Sequence, residues 1–311
     1  MPLLVRSMTH ESAGVLSLEL VDPDGRDLPS WEPGSHLDLH FPGGVSRQYS
    51  LAGDPHDRRR YRLGILREPA GRGGSAYVHD TLRPGETVDF AGPRNHFRLE
   101  PADVYVFVAG GIGITPILPM LAAATAAGAE WTLLYGGRSA ASMAFTDELA
   151  QYGDRVTLWP QDTHGLLDLD GLLGTARPGT LVYCCGPEAL LAAVEQRMTG
   201  WPAGSLHLER FSAPVVERDP ADEHALEVVL AESGRAVTVP EDRSILDVLL
   251  DEGVDVLHDC REGICGSCEV KVIEGEVDHR DFVLSEPEKA ANACMMVCVS
   301  RACGPRLVLG L

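Results

Sequence analysis

Three cysteines crowd one loop of this chain, Cys260, Cys265 and Cys268 in a C-x4-C-x2-C run, and a fourth, Cys298, follows after 29 intervening residues. Thiolates at that spacing suit a [2Fe–2S] cluster of the plant type, in which each iron takes two protein sulfurs. A short loop delivers three sulfurs only if its backbone curls tightly, and Gly263 and Gly266 permit the curl. Structural zinc favours two separated C-x2-C or C-x2-C/H-x3-H pairs, which this run is not. A disulfide framework is the other rival use of thiols. The N-terminus, Met1-Pro2-Leu3-Leu4-Val5-Arg6, has no basic region leading into an apolar core. The chain is therefore expected in the cytoplasm, a reducing compartment where its eight cysteines serve as ligands or core residues.

Charge narrows the partners. The formal net charge is −20, and residues 213–311 alone carry 9 Lys+Arg against 21 Asp+Glu. That surface repels nucleic acid and anionic membrane and attracts a basic protein patch. Asp259, Glu262 and Glu269, flanking or within the cysteine loop, are candidates for the rim of such a contact. Residues 104–129 carry no charge, but Gly110, Gly111, Gly113, Pro116 and Pro119 interrupt them, so no single buried helix is expected there.

With 311 residues the chain is long enough for two or three cores. Short strands are expected at 3–7, 15–21, 35–41, 45–51, 61–66 and 87–90, separated by turns and no long helix, which suggests an antiparallel barrel over residues 1–100. Within it, period-2 alternation places Arg47 and Tyr49 of Arg47-Gln48-Tyr49-Ser50-Leu51 on one face, a cation beside a ring. Downstream, Gly71-Arg72-Gly73-Gly74-Ser75 opens a helical stretch at 75–81, with amides able to cradle a phosphate. Arg47 and Arg67 would be its cations.

From 101 to 212 the pattern changes. The apolar run 104–109 reads as a strand buried on both faces. It enters Gly110-Gly111-Ile112-Gly113-Ile114-Thr115-Pro116 and then a helix at 117–127, the arrangement that seats a pyrophosphate on a helix N-terminus. Strands at 131–135, 155–158, 180–185 and 205–211 alternate with helices near 145–151, 166–173 and 187–198, implying a doubly wound parallel sheet. Cys184-Cys185-Gly186-Pro187 falls at a strand's carboxyl end, where ligands bind in such sheets. Residues 213–224, polar and bearing Pro214 and Pro220, read as a linker. Residues 225–311 read as a compact α+β unit, with strands at 226–230, 236–239, 269–273 and 306–309 and a capped helix at 244–252.

In this order the sites resemble the phthalate dioxygenase reductase family. The resemblance is carried by the segments just quoted, by Asp278-His279-Arg280-Asp281, and by Met296-Val297-Cys298-Val299-Ser300-Arg301-Ala302. It implies a multidomain chain: an antiparallel flavin-binding β-barrel, a doubly wound α/β nucleotide-binding domain, and a C-terminal α+β (β-grasp) plant-type ferredoxin domain. Arg47, Gln48, Tyr49 and Ser50 would hold the ring and ribityl phosphate of FMN, with Gly73, Gly74 and Ser75 on the phosphate. Leu66 stands where relatives often carry a basic residue, leaving Arg67 as the cation there. Gly110, Gly111, Gly113 and Thr115 would face the pyrophosphate of NADH, with Thr115 near the flavin. Cys185, beside Gly186 and Pro187, would lie near the nicotinamide, and Phe211 would cover the flavin, with Glu209 on the same side of the strand. Arg138 departs from the acidic residue of NADH-preferring relatives and can accommodate a 2′-phosphate. Cys260, Cys265, Cys268 and Cys298 would hold the cluster.

The parts imply a reductase that passes electrons from NADH through FMN and the [2Fe–2S] cluster to a terminal oxygenase of Rieske type, or alternatively to a cytochrome P450. No acid–base residue is required for hydride transfer. A redox sensor without turnover would have no need of a nicotinamide site.

Overall fold

The computed structural model describes residues 2–69, 71, 73–214 and 223–311. Most of the expected linker therefore lies outside the described residues, as does Arg72. The chain divides into two compact units, 1–210 and 211–311.

The first unit opens with β1 (Pro2–Ser12), β2 (Val15–Val21), β3 (His36–Phe41), β4 (Val45–Ser50), β5 (Tyr61–Leu66), helix α1 (Gly74–Asp80) and β6 (Thr87–Arg94). These strands form one antiparallel sheet in the order β4-β3-β6-β1-β2-β5, and a bridge from Leu51 to Leu63 joins its two edges into a barrel. Alternation explains the filling: Leu37 and Leu39 of β3 point into a core with Leu3, Val5, Leu18, Leu20 and Leu63. Strand β6 runs four residues beyond the expected end, and a bulge opposite His36 and Asp38 accommodates it.

The chain continues through β7 (Val104–Gly110), α2 (Ile114–Ala126), β8 (Glu130–Gly137), α3 (Thr146–Leu149), β9 (Val156–Pro160), α4 (Gln161–His164), α5 (Leu169–Leu173), β10 (Thr180–Cys185), α6 (Glu188–Met198) and β11 (Leu206–Glu209). The five strands are all parallel, in the order β11-β10-β7-β8-β9. Strand order reverses between β7 and β10, so a crevice opens at their carboxyl ends. Helix α2 starts three residues earlier than expected, with Pro116 in the first turn, where a missing N–H costs nothing; it also carries Pro119 in its interior. The uncharged run 104–129 is thus a strand, a single 3₁₀ turn and this helix. Among the described residues no helix is long and apolar enough to cross a membrane. The helices expected near 145–151 and 166–173 are shorter, the first giving way to a 3₁₀ segment kinked at Gly153. Strand β11 ends at Glu209, so the alternation expected through Phe211 stops two residues before it.

The second unit holds β12 (Leu226–Leu230), β13 (Ala236–Val239), α7 (Ile245–Asp251), β14 (Glu269–Glu274), β15 (Val277–Asp278), α8 (Glu286–Ala291), β16 (Cys294–Met296), β17 (Arg301–Ala302) and β18 (Arg306–Leu309). A mixed sheet, β13-β12-β18-β14-β16, packs against α7. Ser244 caps α7 by accepting the Asp247 N–H at 3.0 Å, and Ile245, Leu246, Val248 and Leu249 are its buried face. A mixed sheet crossed by one helix is the expected β-grasp.

Candidate functional site

Strand β4 presents Arg47 and Tyr49 on the face shared with Leu37 and Leu39. The Arg47 stem crosses the start of α1, where a Cβ on Gly74 would stand 2.4 Å from Arg47 Cγ, so only glycine lets it lie there. The Ser75 hydroxyl oxygen accepts the Glu68 N–H at 3.1 Å, leaving its own hydrogen to donate. Tyr49 is the informative residue: its phenol oxygen is buried without a hydrogen-bond partner, and burial pushes its pKa up. An orphaned phenol beside a cation and a glycine turn fits a planar, phosphorylated ring such as a flavin nucleotide.

Arg67 stands differently from the expectation. Its guanidinium bonds both oxygens of Asp80, at 3.2 and 2.9 Å, and holds that carboxyl below its usual range. Leu66 pairs with Val15 across β2 and contributes no charge. Among the described residues, Arg47 is the cation whose stem crosses the α1 turn. Gln48 is committed as well, donating through Nε2 to Asp38 Oδ1 at 2.8 Å, and Asp38, fully buried, also pairs with Arg94.

Ser50 ends β4 and donates to Glu209 Oε2 at 3.3 Å; Cys185 Sγ, at the end of β10, donates to the same oxygen at 3.7 Å. Desolvation pushes the Glu209 carboxyl up to about 8, an effect only partly offset by its two donors. Burial, then the neighbouring Glu209, pushes the Cys185 thiol well up. The barrel strand and the carboxyl edge of the parallel sheet therefore meet at one buried carboxyl.

Beside that point the backbones of β7 and β10 close on each other. A Cβ on Gly113 would stand 2.2 Å from the Cys185 carbonyl oxygen, and one on Gly186 would stand 3.0 Å from Gly110 Cα. Gly111 joins Gly113 in a 3₁₀ turn leading to α2, and Pro187 caps α6 on the other wall. Thr115 is buried, its hydroxyl donating to the Ile112 carbonyl at 2.9 Å and its methyl packed where a Gly64 side chain would be. Arg138 stands exposed just beyond β8, its carbonyl accepting the Asp162 N–H at 3.1 Å.

In the second unit four of the six free cysteines, Cys260, Cys265, Cys268 and Cys298, stand in two pairs. Cys260 is pushed up chiefly by its hydrogen bond to Cys265, which the same bond pulls down; Cys268 is pulled down by its bond to Cys298, which is pushed up. Among the described residues no three His, Cys, Asp or Glu side chains converge on one ion. Two pairs of thiols fit two irons taking two sulfurs each. The Glu262 N–H already points at Cys260 Sγ, at 3.3 Å, and Gly263 and Gly266 hold the left-handed turns, φ 71° and 72°, that bring such amides inward. Phe211 lies in this unit, exposed.

The family described as 2Fe-2S iron-sulfur cluster binding domain matches residues 228–303, and that described as dimethylamine monooxygenase subunit DmmA-like, N-terminal domain, matches residues 95–203. Phenoxybenzoate dioxygenase subunit beta of Ectopseudomonas oleovorans is 42% identical over 311 residues, 99% of this chain and 97% of that protein. The solved phthalate dioxygenase reductase, a modular structure for electron transfer from pyridine nucleotides to [2Fe–2S], is 38% identical with a TM-score of 0.72, covering 100% of this chain and 98% of its own. The chain belongs to the phthalate dioxygenase reductase family. It is an iron–sulfur flavoprotein oxidoreductase, the reductase component of an oxygenase system. This reductase also resembles an intact type IV self-sufficient cytochrome P450 monooxygenase, at 47% identity and a TM-score of 0.96 over its whole length, and spans 41% of that longer chain.

Proposed function

We propose that this reductase takes hydride from NADH onto FMN and sends the electrons singly through its cluster to a Rieske-type terminal oxygenase in the cytoplasm. The observation that carries the reading is the meeting of Ser50, Cys185 and Glu209, which sets the ring-binding strand against the crevice of the parallel sheet. Bound flavin accepts electrons in pairs and releases them singly, which a nicotinamide and a [2Fe–2S] cluster cannot do for each other. Arg47, with the backbone at Gly73, Gly74 and Ser75, would hold the flavin phosphate, and Tyr49 would gain a partner for its orphaned phenol. The backbone from Gly110 to Gly113 would face the dinucleotide pyrophosphate. Glu209, mostly protonated at neutral pH, would hold a proton at the carboxyl that Ser50 and Cys185 orient, so the site carries no extra negative charge against an anionic coenzyme. Cys260 and Cys265 would take one iron, Cys268 and Cys298 the other. Denaturation should release FMN, and chromatography showing FAD would overturn the flavin assignment.

A cytochrome P450 is the second reading of the acceptor, favoured by the 47% identity to a P450-fused chain. NADPH is the second reading of the coenzyme, favoured by the exposed Arg138. Comparing kcat/KM for the two coenzymes in dye reduction separates them, with NADH expected to be the better donor.

A further inference from the structure

Asp281 has no part in the chemistry proposed so far, yet its carboxyl is buried in the second unit, with the residue only 2% exposed. Burying such a group is costly unless its oxygens are bonded, so its partners show what it holds. Oδ2 accepts the N–H groups of Val283, at 3.2 Å, and Leu284, at 2.9 Å. Oδ1 accepts the Ser300 hydroxyl at 3.4 Å and stands 3.5 Å from Nδ1 of the buried His279 ring. Ser300 Oγ also accepts the Arg280 N–H at 3.1 Å. A carboxyl that bonds the amides two and three residues ahead closes a ring over the residue between, here Phe282, and fixes its backbone.

Held in this way, the Phe282 N–H donates to the Gly263 carbonyl at 2.8 Å. That carbonyl belongs to the trans peptide between Gly263 and Ile264, so the N–H of the same peptide points the opposite way. It points at a thiol: the Ile264 amide bonds the Cys260 sulfur, which also receives the Glu262 N–H at 3.3 Å. The Gly263 N–H bonds the Cys298 sulfur. Packing at Gly263 is close, since a Cβ there would stand 3.2 Å from Asp281 Cα and 2.6 Å from Val299 Cγ2. One peptide is therefore gripped by its oxygen while its hydrogen faces a sulfur, and the grip starts at Asp281.

We propose that Asp281 is a positioning residue for the cluster: by seating the Phe282 N–H on the Gly263 carbonyl it aims the Ile264 N–H at the Cys260 sulfur, and so raises the reduction potential of the cluster. Hydrogen bonds to the ligand sulfurs are one of the levers that set such potentials, because they favour the reduced, more negative state. The inference rests on the ligation by Cys260 and Cys298 proposed above. Its consequence is for the division of electrons, since a cluster of lower potential would leave more of them on the flavin.

The test is a mediated redox titration of the holoprotein, with the cluster followed by its reduced-state EPR signal, in wild type, Asp281→Asn, Asp281→Ser and Asp281→Ala. None of the three variants carries a charge at position 281, so differences among them report geometry. Asn makes the same turn, Ser makes it more weakly and Ala cannot make it. The cluster of Asp281→Asn should titrate at or above the wild-type potential. At the Asn midpoint, Asp281→Ala should show a reduced-to-oxidised ratio about ten-fold lower, about 59 mV for a one-electron couple, with Asp281→Ser between. Equal potentials in Asn and Ser would overturn the proposal, and that comparison decides even where the Ala variant does not keep its cluster. Loss of the cluster from Asp281→Asn would overturn it too, because the turn alone would then not suffice. A cluster signal that persists in Cys260→Ala would instead refute the proposed ligation.

Discussion

Ser50 and Glu209, 159 residues apart in sequence, meet at 3.3 Å, and their hydrogen bond joins the end of barrel strand β4 to the edge strand β11 of the parallel sheet. Glu209 Oε2 accepts that bond and also the one from Cys185 Sγ, at 3.7 Å. A carboxyl so placed is best neutral, which makes this junction the part of the site most sensitive to pH.

Stability should report the carboxyl directly. The folded value of Glu209 is raised from 4.5 to about 8 by desolvation. Below the unfolded value both states are protonated and the contribution is fully present. As pH rises the unfolded chain ionises first, so stability is lost progressively until pH passes about 8. Thermal unfolding of wild type should therefore show a larger fall in Tm between pH 5 and pH 8 than Glu209→Gln. Equal pH slopes in the two proteins would count against the buried neutral carboxyl.

Flavin retention should depend on Arg47 lying over the α1 turn. The Gly74→Ala methyl would fall 2.4 Å from Arg47 Cγ and displace the side chain. Loss of a charge-assisted hydrogen bond costs about 1.5–3 kcal/mol, so affinity for the flavin nucleotide should weaken by about ten-fold or more. Arg47→Ala should match it, while Arg67→Ala, which removes a partner of Asp80, should leave flavin titration unchanged. The cluster EPR signal should persist in all three.

Cluster ligation separates three nearby cysteines. Cys298 bonds Cys268, whereas Cys294 lies on β16 opposite Lys271 and Cys303 is exposed. Cys298→Ala should abolish the cluster absorbance and reduced-state EPR signal, and Cys294→Ala and Cys303→Ala should keep both. Retention of the cluster in Cys298→Ala would assign the fourth ligand elsewhere.

Much of this was legible in residue order. The cysteine spacing marks the loop that brings Cys260 beside Cys265 and Cys268 beside Cys298, and strict alternation in His36-Leu37-Asp38-Leu39-His40-Phe41 marks a barrel strand. Alternation also misleads at the same place: a polar residue in a half-buried strand reads as solvent-facing, yet Asp38 is fully buried because Gln48 and Arg94 on neighbouring strands satisfy it. The pairing of Arg67 with Asp80 could not be read from order, since it depends on where α1 packs. The strands Val277–Asp278, Cys294–Met296 and Arg301–Ala302 are too short to show a period, and tertiary pairing alone makes them.

The acidic second unit should steer its acceptor. At about 0.5 M salt the Debye length shrinks to about 4 Å, so attraction between distant charges largely disappears. Reduction of the native oxygenase at sub-saturating concentration should then slow several-fold, with dye reduction at the flavin nearly unchanged. Charge reversal at Glu262 or Glu269 should reproduce part of the loss, acting mainly on association rate. Indifference of oxygenase reduction to salt would show that the acidity only keeps the protein soluble.

The most direct measurement is anaerobic reduction by NADH of the holoprotein and of protein stripped of flavin but retaining its cluster, each followed by EPR. With flavin bound, NADH should generate the reduced-cluster signal within the time of turnover; without it, the cluster should stay oxidised until FMN is added back. A cluster that NADH reduces equally fast in the stripped protein, or that stays oxidised in the holoprotein, would contradict the flavin's place between coenzyme and cluster.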